Sequence, residues 1–256
     1  MSNIPTYPEP RPSSRVLVTG ASTGIGEATV RQLRASGWAV IAVARRRERL
    51  EKLAEETGCE FYTCDLTDRK AVDEMVAELL KKGPLTAVVN NAGGAIGTDS
   101  VADGKVADWQ QMYRINVVTA LNVTQATLPS LRENGGDLLY VTSTAALDTY
   151  PGGGGYVAAK HAEQMIPLTL RQELVGEPVR LIEIAPGMVK TAEFSLNRLG
   201  SKEAAEQVYR GVAEPLVAED IADLISWCLS RPPHVNIDRV IIRPVAQATN
   251  TVVARD

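Results

Sequence analysis

The sequence predicts an α/β fold: a single domain built on one doubly wound parallel sheet, with helices on both faces. Short apolar runs without strict polar alternation recur along the chain, as expected of strands covered on both sides. Amphipathic segments of helical length separate them, and no linker divides the 256 residues into two units. A third observation orients the sheet. Asp65, Asn90, Ser143 and Pro186 all fall at the carboxyl ends of predicted strands, which is where open α/β sheets bind ligands.

Residues 15–19 (RVLVT) read as the first buried strand, and Gly20-Ala21-Ser22-Thr23-Gly24-Ile25-Gly26 follows at once. An amphipathic helix then covers about 27–36 and stops at Gly37. Strand, glycine-rich turn and helix make the first half of a mononucleotide-binding unit. Gly20 permits the tight turn, Gly24 lets backbone approach a pyrophosphate, and Gly26 allows the helix to pack closely on the strand. The spacing is Gly-x-x-x-Gly-x-Gly rather than Gly-x-Gly-x-x-Gly, but strand before and helix after supply the required context.

The second strand is 38–43, and the residues after it choose the cofactor. An NAD site usually carries an acid about twenty residues beyond the glycines. Ala44 stands there instead, and Arg45 follows. A guanidinium pairs with a 2′-phosphate that a carboxylate would repel. NADP is therefore favoured, with Arg45 and then Arg46 on the cofactor, and Arg47 and Arg49 in an ordinary solvated helical turn.

Further along, 60–64 reads as the third strand, 69–82 as a helix and 87–90 as the fourth strand. One long helix is expected over 109–131, then a strand at 138–142 and a helix at 156–174. A strand at 180–184, a helix at 219–229 and a last strand at 239–243 complete the pattern. Pro5, Pro8, Pro10 and Pro12 mark 1–14 as an extended, disordered tail, leaving 15–245 as the domain and 246–256 as a C-terminal tail.

Composition narrows the function. A net charge of -4 gives no basic footprint, so nucleic acid is not an expected partner. No apolar run reaches membrane-spanning length, no signal peptide is visible, and a cytoplasmic protein is expected. Cys59, Cys64 and Cys228 are odd in number and lack metal-ligand spacing, and with only His161 and His234 no metal site is expected. The cysteines read as buried reduced thiols.

The chemistry is carried by Tyr156 and Lys160, four residues apart, with Ser143 thirteen residues before the tyrosine. At that helical spacing a phenol and an ammonium share one face. A free phenol ionises near pH ~10, and a neighbouring cation favours the phenolate and lowers that value. Ser143, arriving from a strand end, is placed to hold a carbonyl or alcohol oxygen. Such a trio moves a proton on and off an oxygen. The plainer alternative, a half-buried tyrosine beside a solvated lysine, loses ground because the rest of the chain points to a bound dinucleotide.

Thr19 to Gly26, Asp65-Leu66, Asn90-Asn91-Ala92-Gly93, Asn116, Ser143, Tyr156-x-x-x-Lys160 and Pro186-Gly187-Met188-Val189-Lys190-Thr191 together resemble the short-chain dehydrogenase/reductase family, in the right order. The resemblance implies a Rossmann-like sheet and a dinucleotide cradled by Gly20, Ser22, Thr23, Gly24, Ile25 and Gly26. It places Asp65 and Leu66 at the adenine and Asn91, Ala92 and Gly93 at its ribose. Pro186, Gly187, Val189 and Thr191 belong by the same resemblance to the nicotinamide side, with Thr191 at the carboxamide. Tyr156 and Lys160 complete the set, Lys160 holding the nicotinamide ribose. Asn116 is assigned a bound water that links Lys160 to solvent; its bland alternative is a local backbone bond. The implied reaction is hydride transfer between cofactor and substrate, coupled to proton transfer by Tyr156.

By the same resemblance, about 188–211 is a substrate lid. Glu193, Phe194, Ser195, Asn197 and Arg198 make it polar for a steroid or acyl pocket. Arg198, with Lys190 second, is the candidate partner for a substrate carboxylate. The lid and the ending His234 to Val245 resemble the NADP-dependent 3-hydroxy-acid dehydrogenases, which act on serine, allo-threonine and 3-hydroxyisobutyrate. Four glycines, Gly152 to Gly155, suggest a bare wall with room for a bulkier ketone or aldehyde. A dinucleotide-binding sensor without turnover is the reading from another class. Helices 109–131 and 156–174 are the family's usual dimer interface, so a homo-oligomer, dimer or tetramer, is implied.

Overall fold

A computed structural model describes residues 14–256. All but the last residue of the Pro-rich segment lie outside the described residues. The chain forms β1 (Arg15–Thr19), α1 (Gly24–Ala35), β2 (Ala39–Ala44), α2 (Arg47–Thr57), β3 (Glu60–Thr63), α3 (Arg69–Lys81) and β4 (Ala87–Asn90). Then come α4 (Val106–Tyr113), a π-helical turn (Arg114–Val118), α5 (Thr119–Asn134), β5 (Gly136–Val141), α6 (Gly154–Glu173) and β6 (Val179–Pro186). The remainder is β7 (Val189–Lys190), α7 (Phe194–Leu199), α8 (Lys202–Tyr209), β8 (Leu216–Val217), α9 (Ala218–Leu229) and β9 (Arg239–Ile242).

Seven strands form one sheet in the order β3-β2-β1-β4-β5-β6-β9, every pair parallel. The two-residue period of a strand sends alternate side chains to opposite faces. Val16, Val18, Val40 and Ala42 join Val30 and Leu33 of α1 and Ile221 and Ile225 of α9 in one core layer. Leu17, Ile41, Val43 and Val88 join Val72 and Leu79 of α3 and Val123 of α5 in the other. Asp68 caps α3 by accepting from the backbone of Lys70 and Ala71 at 2.9 and 3.2 Å. Gly58 ends α2 at φ +67°, a left-handed conformation that glycine adopts without steric cost.

The strands fall where the sequence places them, and two helical expectations need correction. The helix expected at 109–131 is α4 and α5 joined through the π-turn at Asn116, because the Asn116 side chain takes the Met112 carbonyl at 2.7 Å. The helix expected at 156–174 begins at Gly154, so Tyr156 sits in its first turn. The C-terminal segment is pinned to the core. Met188 donates its backbone N–H to Gln247 Oε1 at 2.8 Å, Thr144 bonds Asn250, and the Asp256 N–H reaches the Gly211 carbonyl.

Candidate active site

The site lies at the carboxyl ends of the central strands. Gly20 and Gly24 adopt φ +66° and +55°, the left-handed region that favours glycine. A Cβ on Gly26 would collide with the carbonyl oxygen of Gly20, so helix and turn meet at glycine distance. Thr23 occupies the N-cap of α1 in extended conformation; its carbonyl accepts from the Glu27 N–H at 3.4 Å, but its side chain makes no cap bond and leaves the N–H groups before Glu27 unclaimed by it. Ile25 packs against Ala218 and Ala222 of α9, fixing the turn from behind. Thr191 approaches from the lid: a Cβ on Gly24 would lie 3.4 Å from it.

Asn91 and Ala92 are held to β1. Their backbone N–H groups donate to Thr19 Oγ1 at 2.9 and 3.0 Å, and Asn91 Nδ2 donates to the Thr19 carbonyl. The neighbouring Asn90 is buried, and its side-chain oxygen and nitrogen have no partner among the described residues. Leu66 is buried and its carbonyl accepts from Asn122 Nδ2 at 3.0 Å. Asp65 accepts from the Thr67 backbone and hydroxyl, which, with Arg45 and Arg114 nearby, hold its carboxyl below the usual range.

Past β2, Arg45 is exposed. Arg46 donates to Ser22 Oγ at 2.9 Å and to both oxygens of Glu193 at 2.8 and 3.0 Å. Arg49 reaches the same carboxylate at 2.6 Å. Arg49 is thus not the freely solvated arginine expected from sequence; the lid brings it a partner across 144 residues of chain (193 minus 49). Arg47, by contrast, pairs with Glu51 on the exposed face of α2.

Ser143, Tyr156 and Lys160 lie together in the fold. Ser143 follows β5, accepts from the Ala145 N–H at 3.1 Å, and its hydroxyl lies close enough to the Tyr156 phenol to favour its ionised form. Lys160 Nζ lies 6.0 Å from the Tyr156 ring centroid. It also donates to the Val141 carbonyl at 3.3 Å and to Glu163 Oε2 at 2.6 Å. The lysine and glutamate side chains are 5% and 1% exposed. Burial pushes the Glu163 carboxyl up to about 7, against the downward pull of Lys160. Burial also opposes the Lys160 charge, but Glu163 and Tyr156 outweigh it and keep the ammonium protonated.

One electrostatic expectation is overturned. Lys160 and Ser143 do pull the Tyr156 phenol down, but burial acts more strongly, and the net shift is upward. Asn116 is fully buried; its Nδ2 donates to the carbonyls of Gly94 and Met112, and its Oδ1 accepts from the Gly94 N–H. A Cβ on Gly93 would collide with that amide and lie 3.5 Å from Lys160 Nζ. Asn116 thereby holds the backbone after β4 against the lysine.

Helix α7 packs over the tyrosine. Phe194 and Arg198 are one turn apart on α7 and face the same way. The Phe194 ring meets Tyr156 edge-on at 5.8 Å. The Arg198 guanidinium carbon lies 5.8 Å from the Tyr156 ring centroid, with the carbonyls of Gly97 and Gly152 and the Tyr150 hydroxyl as its hydrogen-bond partners. Lys190 on β7 is exposed. The four glycines do not leave a bare wall. A Cβ on Gly153 would strike the Tyr150 ring, one on Gly154 the Trp109 ring, and one on Gly155 Met112 and Trp109. They are small because aromatic neighbours fill the space, which removes the ground for a bulky substrate.

Sequence reading missed Glu163, the Glu193 bridge and the Tyr150–Arg198 contact. Glu163 had a local signal, an acid three residues after the lysine on the same helical face. The other two depend on where the lid folds. Pro186 ends β6, the Gly187 N–H donates to the Ile242 carbonyl at 2.7 Å, and Val189 packs on the first core layer.

The chain matches the family model for short chain dehydrogenases over residues 14–199. It is 49% identical over 235 residues to an uncharacterized oxidoreductase of Mycobacterium tuberculosis, covering 91% of this chain and 92% of the relative. A serine 3-dehydrogenase of Agrobacterium fabrum is 40% identical over 240 residues, with 92% and 96% covered. Among solved structures, the closed form of a serine dehydrogenase complexed with NADP+ superposes with a TM-score of 0.89 at 35% identity, covering 94% of this chain and 99% of that one.

Proposed function

This chain belongs to the short-chain dehydrogenase family, and from that premise we propose that it is an NADP(H)-dependent oxidoreductase interconverting an alcohol and a carbonyl on a small 3-hydroxy acid. The observation that carries the substrate class is Arg198, a fixed cation over the catalytic ring. The cofactor reading is supported by the glycine cradle, whose φ angles and close approaches admit no Cβ, and by the buried unpaired amide of Asn90 at the same end of the sheet.

The residues that would hold NADP are Gly20, Ser22, Thr23, Gly24, Ile25 and Gly26 at the phosphates, and Arg45 and Arg46 at the 2′-phosphate. Asp65, Leu66, Asn91, Ala92 and Gly93 would line the adenosine; Pro186, Gly187, Val189 and Thr191 the nicotinamide, with Tyr156 and Lys160 at its ribose. When bound, the cofactor supplies or accepts the hydride. Ser143 holds the substrate oxygen by hydrogen bonding, and Tyr156 gives that oxygen a proton in reduction and takes it back in oxidation. Lys160 stabilises the phenolate that results, and the bound water that the family resemblance assigns to Asn116 would link Lys160 to solvent and return the proton. Arg198 pairs with the carboxylate and so fixes which carbon faces the hydride.

Within this reading residues 15–245 act as one domain, with 188–211 as the lid. Tyr113, Leu121 and Met165 are exposed along α4 to α6, and Trp227 and Ile241 on α9 and β9. These exposed apolar side chains support a homo-oligomer, which we read as a homotetramer. Three free, buried cysteines suit the cytoplasm. The deciding experiment is NADP-linked absorbance on 3-hydroxy acids and neutral ketones, with NAD in parallel. Turnover of serine, allo-threonine or 3-hydroxyisobutyrate with NADP supports the reading; activity confined to neutral ketones discards the carboxylate partner.

A further inference from the structure

Glu163 has no part in the chemistry described so far, yet it is 1% exposed and bonded to a catalytic cation. Removing a carboxylate from water is costly, and an apolar residue would fill the same space more cheaply. Its surroundings narrow its role. Lys160 and Tyr156 face it from α6, Tyr140 from β5 and Glu183 from β6. Glu183 is satisfied separately, by Thr142 Oγ1 at 2.7 Å, Gln164 Nε2 at 2.8 Å and Arg239 Nε at 2.7 Å. Among the described residues, the cation paired with Glu163 is Lys160.

We propose that Glu163 is a positioning residue whose carboxylate aims and neutralises the Lys160 ammonium, and so limits the positive charge that Tyr156 feels during proton transfer. This rests on the reading of Tyr156 as the acid/base group. Of the three N–H donors on Nζ, one goes to Glu163 and one to the Val141 carbonyl, which leaves one to turn toward Tyr156 and the cofactor. The geometry also sets the charge balance. With Glu163 ionised, Tyr156 faces a Lys160–Glu163 dipole; with it protonated, Tyr156 faces an uncompensated cation in a poorly screened interior. Burial places that change near neutrality, since it pushes the Glu163 carboxyl up to about 7. Tyr156 is therefore a weaker acid above that pH than Lys160 alone would make it.

The test is ultraviolet titration of tyrosinate in the full-length protein, with the Tyr156→Phe spectrum subtracted to isolate Tyr156. Glu163→Gln keeps the shape and removes the charge. Its Tyr156 is expected to ionise lower than in the wild type by about one pH unit, with Glu163→Asp restoring the wild-type value in part. Glu163→Met serves as the second charge-removing variant if Glu163→Gln does not fold. An unchanged or higher Tyr156 titration in the folded variant overturns the proposal. Turnover of Tyr156→Phe reports separately on the acid/base reading: if that variant remains active, the catalytic assignment fails while the titration still judges Glu163.

Discussion

Arg198 lies over the ring of Tyr156, 5.8 Å from guanidinium carbon to ring centroid, although 42 residues separate them (198 minus 156). Three backbone and side-chain oxygens hold the guanidinium there. A positive charge is thus fixed beside the phenol that we propose as the proton donor. Phe194, one turn earlier, meets the same ring edge-on at 5.8 Å. On the proposed reading, one short helix does two things: it shields the proton donor from water and offers an anion site near it.

Replacing Arg198 by alanine should remove a charge-assisted contact worth roughly 1.5–3 kcal/mol. The KM of a 3-hydroxy acid should rise about 10- to 100-fold, while a neutral ketone of similar size is barely affected. Steady-state kinetics on both substrates make the comparison. Equal losses on the two would mean that Arg198 merely braces the lid through Gly97 and Gly152.

Tyr156→Phe keeps the packing against Phe194 and deletes only the phenolic oxygen. Turnover should fall by about 10²–10⁴-fold, the usual worth of a positioned acid/base. NADPH affinity, followed by fluorescence, should stay nearly unchanged. Residual activity close to wild type would place the proton donor elsewhere.

Arg45→Asp should weaken NADPH binding far more than NADH binding, because only NADPH carries the 2′-phosphate that the new carboxylate repels. The Glu193 bridge adds a second arm. Its carboxylate occupies Arg46 and Arg49, so Glu193→Gln should free both arginines and tighten NADPH severalfold without helping NADH. Calorimetric titration of the two cofactors against each variant measures this. Parallel changes for both cofactors would refute a 2′-phosphate site here.

Gly26→Ala places a methyl group against the Gly20 backbone carbonyl and the Asn91 side-chain amide, and the backbone carbonyl cannot swing aside as a side chain can. Overpacking of this kind costs about 1–3 kcal/mol. Denaturant unfolding should show that loss, and dinucleotide affinity should fall with it. A variant of wild-type stability would mean that α1 can slide away from β1.

Much of this site was legible because it is local. A strand followed by a glycine turn, or a tyrosine and lysine one helical turn apart, declares itself within a few residues, and parallel pairing then gathers every strand end on one side. What stayed hidden depends on burial and on distant contacts. Lys160 was expected to make Tyr156 a stronger acid, but the phenol is enclosed, and desolvation exceeds the pull of a lysine already shared with Glu163. The glycines at 152–155 looked like open wall, because only the folded chain brings Trp109, Met112 and Tyr150 against them. Arg49 looked solvated until Glu193 arrived from the lid. The π-turn at Asn116 has no periodic signature; it depends on one amide finding Gly94 and Met112 at once.

Glu163 should also leave a mark on stability. Its ordinary carboxyl value is 4.5, and burial in the folded chain pushes it up to about 7. Between those values the folded protein holds a proton that the unfolded chain has lost, so stability must fall as pH rises through the window. The benefit is complete below the unfolded value and gone once the folded value is passed. Lys160 does not mask the slope, because its raised value acts only above its ordinary 10.5. The drop should be on the order of 3 kcal/mol at most, the pull of Lys160 being already contained in the folded value. Glu163→Gln cannot titrate there, so its stability relative to wild type should improve from about pH 5 to about pH 7.5. Urea unfolding of both proteins at those two values checks it. A constant difference would show that Glu163 is already ionised at the acidic end, with Lys160 holding it so.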